Sequence, residues 1–279
     1  MTMPLHGIDF TSAPTKRKGI TIASGTLHGD VLTLTDMESL HDFAAFECWL
    51  RRPGPWLGAF DLPFSFPREV IEHLGWPTEW PALIRAVAAL SRAELRTAFK
   101  AFCDARPVGN KFAHRASDSI AGSSSSMKWV NPPVAYMLHA GVPRLLDAGI
   151  TIPGMHEGDA GHGRIALEAY PGMVARSITR ASYKSDERSK HTPERHAARH
   201  QILQALEQGG SRFGITVEAD GYRDLIVADG SGDWLDAVLC TVLAAWAWQR
   251  RDAGFGLPAF DALEGWIVGA QPAVDGACA

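Results

Sequence analysis

Residues 59–67, Ala-Phe-Asp-Leu-Pro-Phe-Ser-Phe-Pro, form an apolar run interrupted by one acid, Asp61, and broken by Pro63 and Pro67. The run Trp56–Phe64 reads as a buried strand, and the prolines force the chain out of the sheet just beyond the acid. The same arrangement recurs on either side. Gly7-Ile8-Asp9-Phe10 is a short apolar strand carrying Asp9, and Arg164–Tyr170 is a strand interrupted by Glu168 and closed by Pro171-Gly172. Desolvating a carboxylate is costly, so a buried strand tolerates few acids. One such acid is readily explained as a cap on a neighbouring turn. Three of them at the carboxyl ends of strands instead mark the edge where α/β proteins build ligand sites.

Asp233-Trp-Leu-Asp236-Ala-Val-Leu239 opens the best helix of the sequence, Asp233–Arg251, whose apolar face includes Leu235, Val238, Leu239 and Val242. Asp233 and Asp236 are three apart and share a face. Asp233 fits an N-cap as well as a functional role. Asp236 directly precedes the apolar face and is expected to point at the sheet. Clustered carboxylates raise one another's pKa unless a cation neutralises them. Oxygen ligands without His or Cys suit Mg²⁺ or Mn²⁺, and two such ions about 4 Å apart serve phosphodiester cleavage. Asp9, Asp61, Glu168 and Asp236 are therefore expected to converge as catalytic and metal-binding acids within about 8 Å of a common point, with Asp233 as a further candidate.

Around these acids the chain alternates strands and helices. Gly19–Ser24 and Asp30–Thr35 read as strands that join the Asp9 strand in a meander, with a hairpin turn at Leu27–Asp30. Ser39–Arg51 has helical spacing with Ser39 as N-cap. Residues 68–160 read as a mostly helical insertion, with periodicity over Ala82–Asp104 and Pro132–Ala148. A polar loop, Gly109–Asn131, lies between them and holds Ser123–Ser126 in a row. That run reads as flexible or as a source of hydroxyls for a phosphate backbone. Glu194–Gln208 is a further helix, Ala219–Asp229 is polar and turn-bounded, and 271–279 is expected to be a disordered tail. The expectation is α/β: one domain over 1–270, built on a mixed five-stranded sheet flanked by helices, with the Asp9 strand central and the helical insertion between strands four and five.

The ordered set Gly7–Pro14 (GIDFTSAP), 59–67 (AFDLPFSFP), 168–172 (EAYPG), 182–186 (SYKSD), 233–246 (DWLDAVLCTVLAAW) and 264–270 (EGWIVGA) resembles domain-of-unknown-function family four-two-nine, a family of predicted RNase H-like nucleases. The resemblance implies an RNase H-like fold with acids on the first strand, the fourth strand and the final helix. Asp9 matches the first-strand acid and Asp61 the acid before the proline turn. Glu168 matches the Glu of the Glu-aromatic-Pro motif and Asp236 the helix acid, with Val238 in place of the usual Leu. The expected function is metal-dependent phosphodiester hydrolysis of DNA or RNA. The rivals are an ATP-dependent phosphotransferase of the actin-like superfamily, which lacks support because no glycine follows Asp61, and a non-catalytic nucleic-acid-binding module.

The remaining composition sets bounds. A net charge of −4 excludes a wholesale basic wrapper but allows local patches. Residues 176–200 hold Arg176, Arg180, Lys184, Arg188, Lys190, Arg195 and Arg199 against Asp186, Glu187 and Glu194, which fits a phosphate track or a solvated face. Lys184, Arg115 and Lys111 are the expected substrate contacts. His156, Glu157, Asp159 and His162 lie in a glycine-rich stretch that reads as surface loop rather than a metal site. The four cysteines lack zinc spacing, and Cys48 and Cys240 read as small core residues. No apolar run approaches the roughly 20 residues of a membrane span, and the N-terminus has no signal pattern, so the expected compartment is the cytoplasm.

Overall fold

Ile20-Thr21-Ile22 and Val31-Leu32-Thr33 supply the branched residues that favour extended chain. In the computed structural model, which describes residues 2–272, they lie in β2 (Ile20–His28) and β3 (Val31–Leu40). Gly29, at φ +64°, turns one into the other. β1 (Pro4–Asp9) pairs antiparallel with β2 and parallel with β4 (Trp56–Asp61); β4 pairs parallel with β5 (Arg164–Glu168). A sixth strand, β6 (Thr216–Glu218), pairs parallel with β3, giving the order β5-β4-β1-β2-β3-β6. The expected mixed sheet is present with β1 inside it, but it has six strands, not five. Three residues are too few to show an alternating pattern, so β6 left no signal in the sequence.

Helices cover both faces. Between β3 and β4 lies α1 (Phe43–Leu50). Between β4 and β5 come α2 (Arg68–His73), α3 (Trp80–Ala88), α4 (Arg92–Asp104), α5 (Ala116–Ala121) and α6 (Val134–Asp147). After β5 follow α7 (Pro171–Ile178), α8 (Pro193–Glu207), α9 (Arg223–Ala228) and α10 (Asp233–Gln249). α1, α2, α3, α4 and α6 build one core with Ile8, Ile22 and Phe60. α7, α8 and α10 build the other with Leu5, Leu57 and Leu167.

Local chemistry corrects several boundaries. β3 runs on to Leu40, and Asp42 rather than Ser39 caps α1, accepting from the Ala45 amide at 2.8 Å. Ala82–Asp104 is two helices, because Ser91 and Glu94 form a reciprocal capping box that starts α4 afresh. The serine stretch is packed: Ser125 and Ser126 are buried, and Ser125 donates to the Ala113 carbonyl at 2.5 Å. Cys240 is core, whereas Cys48 is exposed on α1. Of the expected tail, 273–279 lies outside the described residues.

α10 is buried nearly all round, from Leu235 to Ala247, as a helix laid across the middle of a sheet must be. The register puts Ala59, Gly7 and Ala23 side by side beneath it. These small residues form a shallow trough, and a Cβ on Gly7 would overlap the Ala237 carbonyl and the Thr241 amide. Thr241 Oγ1 donates to Ala237 O at 2.9 Å and reaches Ala23 O at 3.2 Å. Gly7→Ala is thus expected to destabilise the protein by about 3 kcal/mol or more, at the upper end of overpacking costs because backbone rather than a side chain must move. Urea unfolding checks this; an unchanged midpoint contradicts it.

Candidate functional site

Side chains alternate along a strand, so Leu5, Gly7 and Asp9 share a face, as do Leu57, Ala59 and Asp61. Leu5, Leu57 and Ala59 belong to the α10 core, so this is the face α10 covers. Asp9 pairs directly with Asp61. From Gly7 to Asp9 the strand advances about 6.6 Å. From Thr241 back to Asp236 the helix advances about 7.5 Å. The close approach at Gly7 therefore delivers Asp236, in the first turn of α10, to the two strand acids. One carboxylate oxygen from each of Asp9, Asp61 and Asp236 lies within 4.8 Å of the others. Asp9 and Asp236 are buried.

Two neighbours fix Asp236. The Tyr183 hydroxyl donates to its Oδ1 at 2.6 Å, and the Lys184 ammonium makes an ion pair with its Oδ2. Burial opposes the Lys184 charge, but Asp236, with Asp9 and Asp61, outweighs it and holds the ammonium well above the ordinary lysine range. Burial and then the Asp236 charge push Asp9 well above the usual carboxylate range. Asp61 is pushed up to about 7, chiefly by burial, with Asp236 and Glu168 adding to it and Lys184 opposing. Asp9 and Asp61 thus hold their protons to higher pH than free carboxyls do, through burial first and then through like charge. With all three ionised and Lys184 charged, the centre would carry a formal −2 (−3 + 1), which one divalent cation cancels.

Glu168, expected in the cluster, is outside the group whose oxygens lie within 4.8 Å of one another, although it lines the same cavity as Asp61 and its charge acts on that acid. It follows Ala166 on the opposite face of β5 and pairs in register with Phe60; Ala166 and Phe60 both belong to the other core. There Arg115 donates to Oε2 at 2.7 Å, and the Phe64 amide donates to the same oxygen at 2.9 Å. Arg115, expected at the substrate, is itself buried and also donates to Asp118 at 2.8 Å. Burial pushes Glu168 up while Arg115 pulls it back, leaving it above the usual range. Both residues still line the cavity of about 610 Å³ that opens over the acids.

Asp233 does not cap α10. Its N-cap is Gly232, and Asp229 receives the Trp234 amide at 3.2 Å instead. Asp233 lies 3.7 Å from Lys18 Nζ, on the cavity wall. Lys111 is away from the cavity and pairs with Asp104 at 3.9 Å. Arg176 and Arg199 of the basic segment are spent on backbone carbonyls. His156 stacks on Trp80 with centroids 5.7 Å apart, and among the described residues only Asp9, Asp61 and Asp236 form a group with metal-ligand proximity. Tyr183 and Asp118 were missed. The first neighbours Lys184 in its motif; the second lies three residues from Arg115 within the serine loop, where polarity masked a buried ion network.

The family model described as protein of unknown function (DUF429) matches residues 7–259. The chain belongs to DUF429. The DUF429 match takes in all three clustered acids, Tyr183, Lys184 and the Arg115–Glu168 pair. Neither a curated protein nor a solved structure matches the chain significantly.

Two consequences follow from the charges. A carboxyl whose folded pKa is raised stabilises the fold below its unfolded pKa, and that stability is lost as pH rises through the folded value. For Asp61 the window runs from 3.8 to about 7. In EDTA, Asp61→Asn is expected to be more stable than wild type at pH 8 by up to about 4 kcal/mol, and to lose that advantage toward pH 4. Thermal melts across pH check the sign; a variant less stable at pH 8 contradicts it. Arg115→Ala strands two buried carboxylates and is expected to cost about 3–5 kcal/mol, part of which Glu168→Gln recovers in the double variant. Denaturant unfolding of both variants is the check; a near-neutral Arg115→Ala contradicts the assignment.

Proposed function

We propose that this chain is a divalent-cation-dependent hydrolase of phosphodiester bonds in nucleic acid, built on an RNase H-like core. The observation that carries the reading is the convergence of Asp9, Asp61 and Asp236 from two adjacent strands and the last long helix. First strand, fourth strand and final helix are the positions that the family resemblance implied, which supports the RNase H-like reading; β6 is an addition to it. The donor set fits Mg²⁺ or Mn²⁺: hard carboxylate oxygens, close together, short of positive charge.

Asp9, Asp61 and Asp236 would hold the cation. When bound, it supplies Lewis-acid charge to a phosphoryl oxygen and lowers the pKa of a nearby water. Tyr183 orients Asp236, and the Lys184 ammonium at the cavity wall offers N–H groups to a phosphate oxygen. Close carboxylates that would hold a divalent cation suit activation of water, which is the attacking group in this reading. The water oxygen bonds to phosphorus as one ester P–O bond breaks. Its proton ends on the departing oxygen, and the products are a phosphomonoester and an alcohol. Glu168, held by Arg115, is a positioning residue that fixes the Phe64 amide beside the cavity.

Asp9→Asn and Asp236→Asn are expected to fold yet lose Mn²⁺-dependent cleavage by at least about 100-fold, as loss of a major electrostatic contact does. The assay is a panel of single-stranded, double-stranded and branched DNA, RNA and hybrids with Mg²⁺ or Mn²⁺, with ATP turnover measured beside it. ATP hydrolysis abolished by Asp9→Asn, with every nucleic acid intact, would replace the nuclease reading with the phosphotransferase one.

A further inference from the structure

The cavity over the acids is two-sided. Its floor follows the acids directly: Phe10 after Asp9, and Leu62-Pro63 after Asp61. Its far wall is the start of α6, Val134 and Met137, together with Tyr170. Tyr170 is half-buried and held by Arg176, whose guanidinium lies 5.0 Å from the ring centroid and donates to the hydroxyl at 3.1 Å. A volume of about 610 Å³, lined by Phe10, Leu62, Val134, Met137 and Tyr170 as well as by charged and hydroxyl side chains, has room for one nucleoside-sized ligand.

A second cavity of about 650 Å³ adjoins the first, sharing Lys18, Asp186, Ser231 and Asp233 as a common wall. It is lined by Arg17, Arg188 and His191, side chains suited to phosphate. Asp9 and Asp61 line the first cavity only, and the buried Asp236 sits against them. The two cavities thus meet at Lys18, Asp186, Ser231 and Asp233, with Asp9, Asp61 and the apolar residues on one side and Arg17, Arg188 and His191 on the other.

We propose that the substrate is an unpaired polynucleotide strand, on the reading that the site is a phosphodiesterase. One nucleoside enters the apolar-walled cavity, its phosphodiester lies over the triad, and the next phosphates occupy the cavity of Arg17 and Arg188. A base inside a duplex is stacked and paired, and must be extruded at a cost before it enters such a pocket; an unpaired strand avoids most of that cost. Apolar and aromatic walls accept any base face, so the preference is for strandedness rather than sequence. The cationic set is small and mixed with Asp186, Asp229 and Asp233, which suits two or three phosphates of one strand rather than the long backbone footprint of a duplex.

The test uses the full chain with Mn²⁺ on a 20-residue oligo-dT, the same strand paired with oligo-dA, and bis(p-nitrophenyl) phosphate. The expected result is oligo-dT cleaved at least 10-fold faster than the duplex. Met137→Trp should lower the ratio of oligo-dT cleavage to bis(p-nitrophenyl) phosphate hydrolysis at least 10-fold, and Val134→Trp serves as a second filling variant should the first fail to fold. Arg17→Glu with Arg188→Glu should raise KM for the strand and flatten the log–log salt slope by about 1–2, since each released phosphate contact on a single strand contributes about 0.7. Duplex cleaved as fast as the single strand, or filling variants that leave the ratio unchanged, overturns the inference. Hydrolysis of bis(p-nitrophenyl) phosphate with no strand cleaved overturns it while sparing the phosphodiesterase reading. Loss of all three activities overturns both.

Discussion

The backbone of α10 rests on the sheet with no side chain between them at Gly7. Ala59, Gly7 and Ala23 lie abreast across three strands, and the helix settles into the trough they make. Everything chemical about this protein depends on that contact. It fixes the axial position of the helix, and the similar advance of five helical residues and two strand residues then brings Asp236 level with Asp9 and Asp61. A helix held off by even one methyl layer would leave Asp236 against solvent or apolar side chains, and the strand acids as an isolated pair. The burial of α10 on nearly every side supplies the apolar energy that offsets the cost of desolvating those acids.

Charge inside the fold is handled in two ways, one on each side of the sheet. On the face away from α10, two carboxylates, Glu168 and Asp118, share one guanidinium, Arg115, for a formal −1. That network is internally hydrogen-bonded and rigid, and it ties the helical connection between β4 and β5 to the end of β5. On the α10 face, three carboxylates meet a single lysine, and the balance is left negative. Burial raises Asp9 and Asp61, and the neighbouring carboxylates add to it. The Arg115 group lacks one positive charge and the triad lacks two, and among the described residues only the triad brings three carboxylates within reach of one ion. The contrast within one sheet is the reason for reading the triad as functional and the Arg115 network as support for it.

Much of this was legible in the sequence, and the failures have specific physical causes. Lone acids in apolar strands marked Asp9, Asp61 and Glu168, because desolvation makes such residues rare. Their adjacency on β1 and β4 followed from strand order. The face of each acid was not legible. Strands apolar on both sides show no alternation, so nothing in Ile165-Ala166-Leu167 reveals that Glu168 falls on the face opposite to Asp61. Arg115 is legible as a basic residue near a polar loop and expected at the substrate, but its burial is not, because its two carboxylate partners come from Asp118 nearby and Glu168 far along the chain. Ser39 and Asp42 both make plausible caps, and only the pairing of β3 with β2 through Leu40 decides between them. Three-residue β6 is defined by its partner alone.

The central claim is that the three acids form one cation site rather than a buried cluster kept neutral by protons and Lys184. Anomalous diffraction from a crystal soaked in Mn²⁺ tests it most directly, because it locates the ion without reference to any activity. The account predicts a peak within oxygen-ligand distance of Asp9, Asp61 and Asp236, which for these ions is about 2.0–2.3 Å, and no such peak beside Glu168. An empty triad in crystals grown above pH 7, or Mn²⁺ bound only at Glu168 and Asp118, would contradict it.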